Sequence, residues 1–260
     1  MSSERPPALL AALAIVGVAF FILPLAGLLA RAPWQSALGE LTTPEALTAL
    51  RLSFVISLAA TAFALLLGVP LAWIYARVPF RGRDLIRALT TLPMILPPVV
   101  GGVALLFAFG RRGLFGQALD AIGIRLPFTT FGAILAATFV AMPLLVLTVE
   151  AGLRSMDRRY EDAARTLGAG RWIVFRRVTL PLIAPSVFAG AVLCWARALG
   201  EFGATITFAG NLPGTTQTLP LAVYIALETR PEVAIMLSVV LLAVSLAILV
   251  AMRDRYLRAF

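Results

Sequence analysis

Six uncharged apolar runs constrain this chain more than any other feature: residues 8–30, 52–76, 88–110, 126–149, 178–196 and 233–252. A helix needs about 20 apolar residues to cross a hydrocarbon core about 30 Å thick, and each run is near or above that length. The runs predict an all-α polytopic membrane protein of about six transmembrane helices. Of the 260 residues, 60% are hydrophobic and 13% charged, too little polar surface for a soluble fold of this length. A single membrane domain over 1–260 is expected, without a sizeable soluble appendage. The first run exceeds the roughly 7–15 residues of a signal-peptide core and is expected to stay as a helix.

Orientation follows from arginine, which supplies all 22 cations. With both ends inside, the inner segments 1–7, 77–87, 150–177 and 253–260 hold 15 Arg and the outer connections hold 6, while Arg197 falls within the fifth run. Cytoplasmic loops carry such an excess, so both termini are expected in the cytoplasm of a multi-pass protein. The same distribution accounts for the net charge of +9 without invoking nucleic acid. There is no His, the single Cys194 lies in an apolar run and the spans hold no pair of acids, so neither a metal site nor an intramembrane nucleophile–base pair is expected. Enzyme chemistry is not expected, and no cofactor is expected on this chain.

Pro and Gly interrupt several runs, most strongly at Pro97, Pro98, Gly101 and Gly102. In lipid, such breaks survive where a neighbouring helix or a wet cavity satisfies the freed backbone groups. Kinking for packing and a role in a translocation path both fit. Arg197 and Glu201 stand four apart and can pair along one helix face. Ionisable groups at that depth usually face a partner or a cavity. A structural pair is favoured over direct contact with an anion. Residues 202–227 are uncharged but broken by Asn211, Pro213, Gly214 and a series of Thr. They are expected to form an extracytoplasmic connection, partly re-entrant, with most of its Thr in ordinary polar loop.

The longest inner loop, about 154–180, carries structure of its own. Asp157 is a candidate N-cap, with Glu161 and Asp162 in the first turn, where acids suit the helix dipole. Tyr160, Ala163, Ala164 and Leu167 fall on one narrow apolar face, and Gly168 suits a left-handed cap. A second short helix led by Trp172 is expected to run to Leu180-Pro181. From the residues alone, the first helix either lies on lipid headgroups or docks a soluble partner.

The segment Glu161-Asp-Ala-Ala-Arg-Thr-Leu-Gly168, followed by Leu180-Pro181, resembles the EAA loop of ABC importer permeases. Asp162 stands there for the first Ala, and Thr179 precedes Leu180-Pro181. Leu92-Pro-Met-Ile-Leu-Pro-Pro98, Gly123-Ile-Arg-Leu-Pro127, the stretch from Arg197 to Asn211 and Gln217-Thr-Leu-Pro-Leu-Ala-Val-Tyr224 extend the resemblance over nearly the whole chain. Gly200-Glu-Phe-Gly-Ala-Thr205 narrows it to the tetrahedral oxyanion group, nearest the molybdate permease subunits.

The resemblance implies a homodimer with a path on its two-fold axis, in the cytoplasmic (inner) membrane of a bacterium or archaeon. It implies two ATP-binding subunits, which would hold ATP and Mg, and a binding protein outside to deliver the anion. Tyr160, Glu161, Ala163, Ala164, Leu167 and Gly168 would form the coupling helix that docks the ATPase. Pro97, Pro98, Arg197, Glu201 and Gly203 are the candidates for path or interface. The cargo would be molybdate or tungstate; a sulfate/thiosulfate-type permease is the alternative, ahead of an ion-coupled carrier or channel. The chain has no Gly-x-x-x-x-Gly-Lys-Ser/Thr loop, so ATP hydrolysis would belong to a separate subunit.

Overall fold

The computed structural model describes residues 7–256, and their regular structure is entirely helical. In order, the helices are α1 (Ala8–Ala30), α2 (Ala37–Leu41), α3 (Pro44–Arg77), α4 (Arg83–Thr91), α5 (Pro98–Phe109), α6 (Gly116–Ala121), α7 (Thr130–Ser155), α8 (Arg159–Thr166), α9 (Arg171–Val174), α10 (Leu180–Leu199), α11 (Gly203–Phe208), α12 (Leu219–Thr229) and α13 (Pro231–Tyr256). A 3₁₀ turn, Leu92–Met94, follows α4, and a π-helical turn, Phe175–Thr179, joins α9 to α10.

Five helical segments are long and apolar enough to cross a bilayer: Ala8–Ala30, Pro44–Arg77, Thr130–Ser155, Arg171–Leu199 and Pro231–Val250. The sixth expected span is not one helix. Arg83–Met94 and Pro98–Phe109 meet at 117°. The cause is local: Pro97 is extended, with ψ at 131°, and Pro98 supplies a fixed φ at the first position of α5. The second span starts earlier than the apolar run at 52–76. The Thr43 hydroxyl accepts from the Ala46 N–H at 3.3 Å, Pro44 opens the helix and Glu45 sits in its first turn.

The core is the packing of α3, α7 and α10. Its contacts are made by small residues: Ala60, Ala64 and Ala72 of α3 and Ala133, Ala137 and Ala141 of α7 are all buried. In lipid, where apolar surface gains nothing by leaving water, small residues let backbones approach and gain dispersion contact. Helix α1 is apolar on every face and has no buried residue in this chain, as expected of a helix whose solvent is lipid.

Residues 202–227 differ from the expected polar connection. They fold into α11 and α12 and enter the protein interior: Ala204, Phe208, Ala209, Thr216, Leu219 and Leu221 are buried. Thr205, Thr216 and Thr218 are buried with them, so these hydroxyls belong to the packed fold and not to a surface loop. Thr216 Oγ1 accepts from the Leu212 N–H and donates to the Gly210 carbonyl, and Ser53 on α3 accepts from the Leu219 N–H at 2.7 Å. An irregular backbone inside the membrane domain must be satisfied in this way.

Candidate functional site

The loop at 154–180 builds its site from three local devices. The expected cap shifts by one residue: Arg158 is the N-cap of α8 and makes no side-chain cap bond, while Asp157, just before it, accepts through Oδ1 from the Arg159 N–H at 2.9 Å. Glu161 and Asp162 occupy the first turn. At the far end, Gly168 adopts φ +81°. Its N–H donates to the Arg165 carbonyl and the Ala169 N–H reaches the Ala164 carbonyl, the paired bonds of a Schellman cap. This geometry requires a left-handed residue, which Gly supplies without steric cost.

The two faces of α8 are chemically different. Tyr160, Ala163 and Leu167 are exposed, Leu167 at 89%. Ala164 is half-buried, and Asp162 points outward beside Arg165 at 3.1 Å. Glu161, by contrast, is 3% exposed and faces into the protein. Its Oε2 lies 3.1 Å from Arg77 Nε at the end of α3, and its Oε1 accepts from the Thr179 hydroxyl at 2.7 Å. Arg158 donates to the Ala76 carbonyl at 3.1 Å. Helix α8 therefore presents an apolar stripe outward and is tied by an inward carboxylate to two spanning segments. The expected second short helix is α9, which runs without a stop through the π-turn into α10. Trp172 is exposed and stacks on Phe175 at 5.8 Å.

The remaining candidates converge at the break in the third span. Gly203 sits against α5: a Cβ there would come within 2.8 Å of Pro98. Gly102 meets α11 in the same seam, its virtual Cβ 2.9 Å from the Ala204 carbonyl. Glu201 is 2% exposed; Oε2 accepts from Arg197 Nη1 at 2.6 Å and Oε1 accepts from the Ala204 N–H at 2.8 Å. The pair thus closes the end of α10 and fixes the start of α11. Arg197 remains about one-third exposed. Pro97 lies on the surface at the bend. So Pro98, Gly203, Glu201 and Arg197 form one contiguous unit.

Sequence reasoning missed two contributors. Arg77 reads as an ordinary inner-loop cation, yet its side chain is 7% exposed and pairs with Glu161, 84 residues away. Glu150 reads as the first residue of the inner loop, but α7 continues past it to Ser155. It is buried and accepts from Arg87 of α4 at 2.9 Å and from Arg154 at 2.7 Å. The available signal was the Glu150–Arg154 spacing of four on a continuing helix. A cavity of about 430 Å³ beside this cluster is lined by Asp84, Arg87, Ala88, Thr91, Met94, Ile95 and Leu147.

Comparison with known proteins places this geometry. The chain is 46% identical over 242 residues to the molybdenum transport system permease protein ModB of Mycobacterium tuberculosis, covering 93% of this chain and 92% of that one. It is 47% identical over 190 residues to ModB of Escherichia coli, covering 73% and 82%. It is 36% identical over 227 residues to the sulfate transport system permease protein CysT of Escherichia coli, covering 85% and 82%. Among solved structures, a bacterial alginate ABC transporter bound to its periplasmic protein superposes with a TM-score of 0.73 at 19% identity, over 95% of this chain and 94% of that chain. Residues 64–259 match the model of one family, and the chain belongs to it: the binding-protein-dependent transport system inner membrane components.

Proposed function

We propose that this chain is the permease subunit of an ATP-driven importer that moves molybdate, with tungstate as close second cargo, into the cytoplasm. The observation that carries the cargo is the identity to the molybdenum permeases, 46% over 93% of the chain, against 36% to the sulfate permease. The chain works as a homodimer in the cytoplasmic membrane with both termini inside. An extracytoplasmic binding protein delivers the anion, and two ATP-binding subunits hold ATP and Mg and perform the hydrolysis.

Support for the ATPase-docking role of α8 comes from its faces. A helix held to the body by a buried carboxylate and showing Tyr160, Ala163 and Leu167 outward suits a groove on a soluble partner. Closure of the ATPase dimer draws the two copies of α8 together and shifts the path between its inward and outward states. The energy enters as the difference in partner affinity between those states. The path needs weak, replaceable contacts for an anion, because tight binding would slow release. Selectivity belongs mainly to the binding protein.

The test is uptake by the complete complex, reconstituted in vesicles with its own binding protein. Molybdate and tungstate should stimulate ATP hydrolysis and accumulate. If sulfate does so and molybdate does not, the cargo is wrong while the importer reading stands.

A further inference from the structure

Three threonines inside the spanning helices bond the backbone one turn back: Thr61 donates to the Ser57 carbonyl at 2.8 Å, Thr138 to Ile134 at 2.7 Å, Thr148 to Leu144 at 2.8 Å. Thr179 departs from this pattern. Its hydroxyl crosses to Glu161 Oε1 on α8, and both residues are buried. Thr179 is also the last residue of the π-turn, in which the Leu180 N–H donates to the Phe175 carbonyl five residues back. Pro181 follows; it has no N–H, and its ring collides with the carbonyl four residues earlier, a conflict that a widened turn relieves. The third member of the group is unfinished. Arg77 meets Glu161 through Nε, while its Nη2 is buried without a hydrogen-bond partner. Buried polar groups are rarely left so.

We propose that Arg77, Glu161 and Thr179 form the clamp that passes displacement of α8 into α3 and α10, with the π-turn as the segment that changes register. This rests on the reading of α8 as the ATPase-docking helix. Moving α8 toward the end of α3 lets the Glu161 carboxylate close on Nε and Nη2 together, the fork geometry that arginine favours. Oε1 then leaves Thr179. The freed hydroxyl turns to the Phe175 carbonyl, as the other threonines do in their helices, and the π-turn tightens to α against the Pro181 conflict, which widens it again when α8 withdraws. Taking one residue out of that turn moves α9 by about 1.5 Å along the axis and rotates it by about 100° relative to α10. Arg77 and Thr179 are thus positioning residues: they touch neither cargo nor ATP.

The experiment uses the full complex in proteoliposomes with binding protein and molybdate, comparing Thr179→Val, Thr179→Ser and wild type. Three quantities are read: retention of the ATPase subunit on purification, ATP hydrolysed per molybdate imported, and the ATP-dependent change in distance between spin labels at Arg171 and Val192 in a Cys194→Ser background. Thr179→Val should retain the ATPase subunit, raise ATP per molybdate at least tenfold and lose the distance change. Thr179→Ser, which keeps the hydroxyl, should stay within twofold of wild type. Equal coupling in all three overturns the clamp, as does equal uncoupling of Val and Ser. Loss of the ATPase subunit from Thr179→Val alone also overturns it, since Thr179 would then shape the docking face. If replacing the exposed residues Tyr160 and Leu167 by Asp leaves ATPase retention unchanged in the wild-type background, the docking reading itself falls and takes the clamp with it.

Discussion

Arg87 donates to Glu150 at 2.9 Å across 63 residues of sequence, and this contact fastens α4, the first half of the broken span, to α7. Glu150 is 1% exposed and also holds Arg154 at 2.7 Å, so one buried carboxylate organises two arginines. Tyr75 reinforces the attachment through Thr90 at 2.6 Å. Apolar burial contributes little to holding α4, whose Leu85, Ile86 and Leu89 are exposed.

Glu150→Ala should therefore destabilise the protein by about 1–3 kcal/mol, the cost of leaving charged partners unsatisfied. The loss stays below that of breaking a fully buried pair, because Arg87 and Arg154 are 40% and 48% exposed and their heads can swing to water. Thermal denaturation in detergent should show the drop, with membrane insertion unchanged. A melting curve identical to wild type would count against the fastening role.

Gly168 sits at φ +81° with open space around its Cβ position. A substitution there meets backbone strain and no clash. Gly168→Val should cost about 1–2 kcal/mol of local stability, unfold the cap of α8 and abolish ATP-driven uptake. Gly168→Asn, which tolerates the left-handed region, should keep a measurable share of it. Uptake assays on both variants, with insertion checked by membrane fractionation, decide the matter; normal uptake by the Val variant would be decisive against the assignment.

Arg197 and Glu201 form a pair whose acid also holds the Ala204 N–H. Either single change, Arg197→Gln or Glu201→Gln, leaves one charge without its partner in a poorly hydrated place. The double neutral variant should retain more uptake than either single one. The amide oxygen that Glu201→Gln introduces can still accept from the Ala204 N–H, so α11 should stay capped. Two silent single variants would exclude both a structural and a path role for the pair.

The topology is checked by labelling Cys introduced at Ser2 and at Thr215, after replacing the buried Cys194. Ser2 lies outside the described residues, so its position rests on the arginine bias alone. Thr215 lies in the connection between α11 and α12, where its carbonyl accepts from Thr130 at the start of α7. The two labels should be reached from opposite sides of the membrane. Labelling from the same side would overturn the orientation.

Hydropathy and local residue patterns, read without any tertiary information, determined that this is a helical membrane protein, roughly where five of its spans lie and which loop carries a structured helix. These properties are local. An apolar run long enough to cross the bilayer has few alternatives to a helix, because its own backbone must satisfy its hydrogen bonds. The caps at Thr43 and Gly168 are local in the same sense, each made within a few residues of its helix end. The tertiary structure alone decided what depends on distant partners. It turned Glu161 inward to Arg77 and Thr179, buried Glu150 against Arg87 and drew α11 and the start of α12 into the core. A carboxylate is an ordinary loop residue until a guanidinium 84 positions away arrives beside it, and a polar, Gly-broken stretch is a surface loop until a neighbouring helix satisfies its backbone. Such pairings are fixed by how the spans pack, and no local pattern of residue types encodes them.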